Sequence, residues 1–121
     1  MTAGRANYEA QAHLLLSRVR QRQDEMADAW QAHKTALALT EGLGMVQLEI
    51  DLDMVGSSIA RREGQPERAS ALAKEAPRAA ANAGFVRVEA AAHLALAEAH
   101  LSAEDEISAS IHADRARTLA R

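Results

Sequence analysis

The sequence predicts an all-α fold, a right-handed α-solenoid of three helix-turn-helix repeats with six helices, and three observations predict it. The first is a period of 40 residues that runs without a gap. Glu9, Glu49 and Glu89 share one column, Ala29, Ala69 and Ala109 a second, and Ala36, Ala76 and Ala116 a third. The second is composition: 48% of the residues are hydrophobic, yet only Tyr8, Trp30 and Phe85 are aromatic. Alanine does most of the apolar work; it has the best helix propensity and lets helix axes approach closely, while the β-branched residues that favour strands are sparse. The third is punctuation, with Gly44 and Gly84 at the same point of successive units, where a helix should stop. A fixed period of roughly 20–50 residues marks an array whose units stack because none buries its apolar face alone.

Alanine fills 29 of the 121 positions, so three alanines should align by chance in roughly one column in seventy. Conservative columns therefore weigh more than identical ones. They are Leu14/Met54/Leu94, Val19/Ile59/Ala99, Ala12/Leu52/Ala92 and Met45/Phe85, with Ser17/Ser57, His13/His93, Leu16/Leu96 and Arg22/Arg62 as pairs. They recur at the 3–4 residue spacing of a helix face.

Residues 1–7 read as a leader, and 8–121 as one repeat domain with units at about 8–44, 45–84 and 85–121. The first helix runs from about Tyr8 to Arg22, with Ala12, Leu15, Leu16 and Val19 on its apolar side. Asp24 reads as the N-cap of a second helix, about Glu25 to Glu41, stopped by Gly42-Leu43-Gly44. The third helix, about Met45 to Arg62, carries Leu48, Leu52, Val55 and Ile59 at helical spacing. Pro66 follows the turn at the first position of the fourth helix, where a missing N–H is harmless. That helix runs to about Ala81 and ends at Asn82-Ala83-Gly84, with Asn82 in the column of Gly42 as a residue tolerant of left-handed geometry. Pro77 falls inside it and predicts a bend near Ala73–Pro77. The fifth helix spans about Phe85 to Leu101, Ser102 to Asp105 resembles a capping box, and the sixth helix completes the chain.

Composition also excludes classes. The absence of cysteine removes disulfides and Cys-ligated metals and suits a cytoplasmic protein. No apolar run is long enough for a signal peptide or a membrane span. A net charge of −3 argues against direct nucleic-acid binding. There is no P-loop, no G-x-S-x-G and no HExxH, and the carboxylates at Asp24, Glu25, Asp28, Glu104, Asp105 and Glu106 sit where helix starts explain them. No enzymatic activity, cofactor or metal is expected. His93 and His100 lie seven residues apart on one helix, too few for a zinc site, and the equivalence of His13 and His93 suggests a packing slot.

The small residues at fixed offsets, Ser17-Ala29-Ala36, Ser57-Ala69-Ala76 and Ala97-Ala109-Ala116, resemble the tetratricopeptide repeat over nearly the whole chain. The chain departs from that pattern in filling the usual aromatic positions with His33, Ala73 and Ala113, and in a period of 40 rather than 34. The longer period and the glycine stops resemble the repeats of bacterial transcription activators of the LuxR/MalT kind and of actinobacterial antibiotic regulators. The resemblance implies a concave surface, lined by the first helix of each unit, that binds a protein or peptide. Its candidate residues are Gln11, Leu14, Arg18 and Arg22, then Asp51, Met54, Ser58 and Arg62, then Leu94, Glu98 and Leu101. The Lys and Asn clamp of the chaperone-binding members is not reproduced, because Leu14 and Arg18 stand at those offsets.

Arg18, Arg22, Arg61 and Arg62 suit an acidic peptide, since guanidinium binds carboxylate bidentately. They equally suit the negative end of their own helices, left solvated. Trp30 reads either as an interface anchor or as a residue packed under the leader and Tyr8. Ile107 and Ile111 form an apolar pair that the other units lack, expected to meet either a further repeat of a longer protein or another chain. The expected function is a protein-interaction module. The alternatives are a regulatory or sensor segment of a larger transcription activator and a repeat unit used mainly for homodimerisation.

Overall fold

The computed structural model describes residues 2–121. They form seven helical segments: α1 (Ala3–Arg22), α2 (Met26–Thr40), α3 (Val46–Arg62), α4 (Pro66–Ala73), α5 (Ala76–Ala83), α6 (Val86–Ser102) and α7 (Glu106–Leu119). The fold is all-α, and among the described residues no helix is long and apolar enough to cross a membrane. The segments α4 and α5 are two halves of one rod. Lys74 keeps right-handed helical angles and Glu75 stays close to them, so the chain bends there without leaving the helical region. Pro77, the second residue of α5, is the cause, having no N–H to donate one turn back. The expected bend is present, and six rods result from seven segments.

Each of α1, α3 and α6 packs on the helix that follows it, and the three also neighbour one another in series, α1 with α3 and α3 with α6. Ser17 Oγ donates to the Ala29 carbonyl across α1–α2, and Ser57 Oγ to the Ala69 carbonyl across α3–α4, both at 2.8 Å. A small hydroxyl opposite an alanine lets the paired helices approach closely while the buried oxygen keeps a partner. The twelve-residue offset of the small residues is that contact.

The turns after α1, α3 and α6 are alike. The amides of Asp24 and Glu25 donate to Gln21 and Arg20, those of Gly64 and Gln65 to Arg61 and Ala60, and those of Glu104 and Asp105 to Leu101 and His100. In each turn the first residue is left-handed, with φ of 61° at Asp24, 74° at Gly64 and 62° at Glu104. This is Schellman-type termination. Asp24 is therefore a C-terminal residue of the α1 turn, and Glu25 stands at the N-cap of α2. Likewise Ser102 closes α6, and Asp105 caps α7 by accepting the Ser108 amide at 3.1 Å. Asn82 lies inside α5, and Gly84 takes the left-handed position alone.

The largest correction concerns α1. It begins at Ala3, so residues 3–7 are helix rather than leader, while Met1 lies outside the described residues. Its buried side is Ala6, Ala10, Leu14, Ser17 and Gln21. The leucine stripe expected inside faces outward, with Leu15 61%, Leu16 41% and Val19 38% exposed. Packing on α2 selects small side chains, and alanine adds little to a hydropathy pattern, so the stronger stripe marks the other face. The main core joins Ala10, Leu14, Ala29 and Ala36 to Leu48, Leu52, Val55 and Ile59 of α3. Smaller clusters centre on Ile50, Ala76, Ala80 and Ala92, and on Ala60, Ala69 and Ala99.

Candidate binding groove

Because α1 and α3 run as neighbours, residues recurring every three or four positions on each line a shared cleft. Arg18, Gln21 and Arg22 of α1 face Met54, Val55, Ser58 and Arg62 of α3 around about 510 Å³. A second hollow of about 440 Å³ continues towards the start of α1, and Gln11, Leu14 and Asp51 are among its lining residues. Eight of the residues expected in the groove are thus brought onto one surface. Leu14 is its buried floor and belongs to the core.

Leu94 and Glu98 are not on that surface. With Leu101 they line a separate apolar groove of about 290 Å³ against Ala109 and Ala113 of α7. Ile107 and Ile111 are exposed, 78% and 56%, on the outer side of α7. Their columns, Ala27/Glu67 and Gln31/Ala71, are exposed as well, so they lie off the faces on which helix pairs meet.

The cleft is basic and partly pre-arranged. Arg62 donates to the Gln21 carbonyl, a last-turn acceptor of α1 that also takes the Asp24 amide, and lies 3.9 Å from the Asp24 carboxylate. Gln21 Nε2 donates to Ser58 Oγ, tying the two helices beneath it. Arg18 and Arg22 have no ion pair among the described residues. Arg61 turns away to pair with Glu98 of α6 at 3.1 Å. Burial pushes the Asp51 carboxyl above its ordinary range, an effect opposed by the Arg18 guanidinium. Gln21, buried and one turn from Arg18, is the groove residue that sequence reading passed over, although its spacing places it on the same stripe.

Trp30 packs neither under Tyr8 nor at a free surface. It wedges between the main core and the Ala60, Ala69 and Ala99 cluster, its Nε1 donating to Glu63 Oε1, its edge against His33 and the Arg68 guanidinium 4.3 Å above its ring. A second feature that the sequence hid is a histidine stack. His93 and His112 share a hydrogen bond between Nδ1 atoms at 2.9 Å, and His100 stacks on His112 with ring centroids 5.6 Å apart. His112 comes from α7, so spacing along α6 alone could not find it. Among the described residues no three His, Asp or Glu side chains converge as metal ligands.

No protein-family model matches the chain, and no curated protein or solved structure matches it either.

Proposed function

We propose that this chain is a right-handed solenoid of three tetratricopeptide-type repeats acting as a protein-interaction module, which holds an acidic segment of a partner in the cleft between α1 and α3. Shared turns and shared Ser-to-Ala contacts at 40-residue offsets support the stacking. One observation carries the binding assignment: Arg18 and Arg22, which form no ion pair among the described residues, flank an Arg62 already fixed by Gln21 and Asp24. A fixed guanidinium beside two available ones receives carboxylates bidentately with little ordering cost.

Fluorescence anisotropy tests it with labelled peptides of about ten residues rich in Asp and Glu, against analogues in which these are Asn and Gln. Acidic peptides should bind at least about 10-fold more tightly, and the preference should shrink with added salt. It should vanish in the Arg18→Glu/Arg22→Glu variant. Equal binding of both peptides, or an unaffected variant, overturns the assignment.

A further inference from the structure

Two faces of the molecule carry exposed apolar side chains, and each is one half of a contact that the molecule already makes within itself. The outward face of α1 presents Tyr8, Leu15, Leu16 and Val19. Forty residues on, the same columns of α3 hold Leu48, Val55, Gly56 and Ile59, all buried, three of them in the core shared with α1 and α2. At the far end, the groove between α6 and α7 is lined by Leu94, Ala97, Leu101, Ala109 and Ala113. Eighty residues earlier those columns hold Leu14, Ser17, Gln21, Ala29 and His33, which form the buried seat beneath α3. So α1 has the projecting residues of α3 without a seat, and the α6–α7 groove is a seat without its helix.

We propose that a second copy of this chain docks its α1 into the α6–α7 groove, joining copies head to tail. The proposal rests on the stacking of the helix pairs; it shares Arg22 with the α1–α3 cleft but does not require that cleft to bind an acidic peptide. Size complementarity favours it. In the first internal junction the large His33 faces Gly56; in the second the same two columns hold Ala73 and Leu96, both buried. Between copies they would hold Ala113 and Leu16, again small against large. Charge favours it too. Arg62 reaches Asp24 across the first junction, and the same columns between copies are Arg22 and Glu104. Glu98 and Glu106 border the groove, while Arg18, Arg20 and Arg22 lie along the end of α1. A contact between two different faces does not close on itself after one step, so growth continues beyond a dimer unless a ring forms.

Sedimentation velocity on the full chain tests this from about 1 µM to about 1 mM. The average mass should climb past that of a dimer with concentration. Leu15→Glu and Leu101→Glu change exposed positions and should each give a folded monomer by circular dichroism. Mixed in equal amounts they should form a dimer of one copy of each and stop there, because each retains one sound face. Arg22→Glu should weaken assembly, and Glu104→Arg in the other copy should restore it. A wild-type chain that stays monomeric throughout, a mixture that stays monomeric, or a dimer that survives both single substitutions overturns the proposal. Leu15→Glu should still bind acidic peptide, so failure here and failure of the cleft assignment are separately visible.

Discussion

The His33 imidazole occupies the space that a side chain at position 56 would need: a Cβ built on Gly56 lies 2.9 Å from Nε2. The ring cannot retreat freely, because it is buried and Nε2 bonds the Leu52 carbonyl at 2.7 Å. That carbonyl can only accept, so Nε2 carries the proton. In an unobstructed helix, glycine to alanine gains about 1 kcal/mol. Here Gly56→Ala should instead cost about 1–3 kcal/mol by overpacking. In a His33→Ala background the same substitution should become stabilising. Thermal unfolding of the four chains reads the reversal of sign directly.

The histidine stack makes stability fall on acidification. His93 is held below the ordinary imidazole range chiefly by burial, with Arg115 adding to this and Glu89 opposing it. His112 is lowered by burial, then by His93, His100 and Arg115. From the kinked rod, Lys74, Glu75 and Arg78 border the same hollow. A lowered folded-state pKa means that the unfolded chain takes up protons first, so stability is full above about pH 6.5 and declines as pH falls through the gap between the two values. His112→Phe keeps a ring against its neighbours without the charge. The Tm of wild type should fall more than that of His112→Phe between pH 7.5 and pH 5; parallel curves would remove the stack from the account.

The sequence made the number of rods, the bend at Pro77 and the stripe from Arg18 to Arg62 legible, since each depends on local geometry or a 3.6-residue spacing. What it concealed depends on neighbours. Leu15 and Val19 show which face of α1 is apolar, but not that α2 lies on the opposite face, chosen by Ala10 and Ser17. Asp24 and Glu104 occupy left-handed positions that charged residues do not advertise; Gly64, in their column, was the available signal. The stack of His93 and His112 needs the register of α6 against α7, which no spacing within one helix encodes.

The cap of α7 separates two residues that pattern alone confuses. Asp105 Oδ1 accepts the Ser108 amide, and hydrogen bonding from Ser108, its side chain first and then its amide, holds the carboxyl below the usual range; Ser102, three residues earlier, is the last residue of α6. Asp105→Ala should lower Tm, because a first-turn amide loses its acceptor. Ser102→Ala should leave Tm almost unchanged. The Asp105→Ala effect should be full above the unfolded carboxyl value of about 3.9 and fade as pH falls below it through the lowered folded-state value, where the wild-type carboxyl is also protonated. Equal losses in the two variants would contradict the assigned cap.

Asp53 works in the opposite direction from the histidines. Burial, and after it repulsion from Glu49 one turn back on α3, together raise its carboxyl to about 6. A raised folded-state pKa in an acid means the folded chain binds the proton more tightly, so ionisation costs stability once pH climbs past the unfolded value of about 3.9 and levels off above the folded one. Asp53→Asn removes that cost and keeps the shape. Because Asp53 is half-buried, solvent screening reduces the gain to about 1 kcal/mol at pH 8. At pH 4, where the folded wild type is already protonated, the substitution should do almost nothing. Unfolding in urea at the two pH values measures both, and a gain at pH 4 equal to that at pH 8 would show that ionisation of Asp53 is not its source.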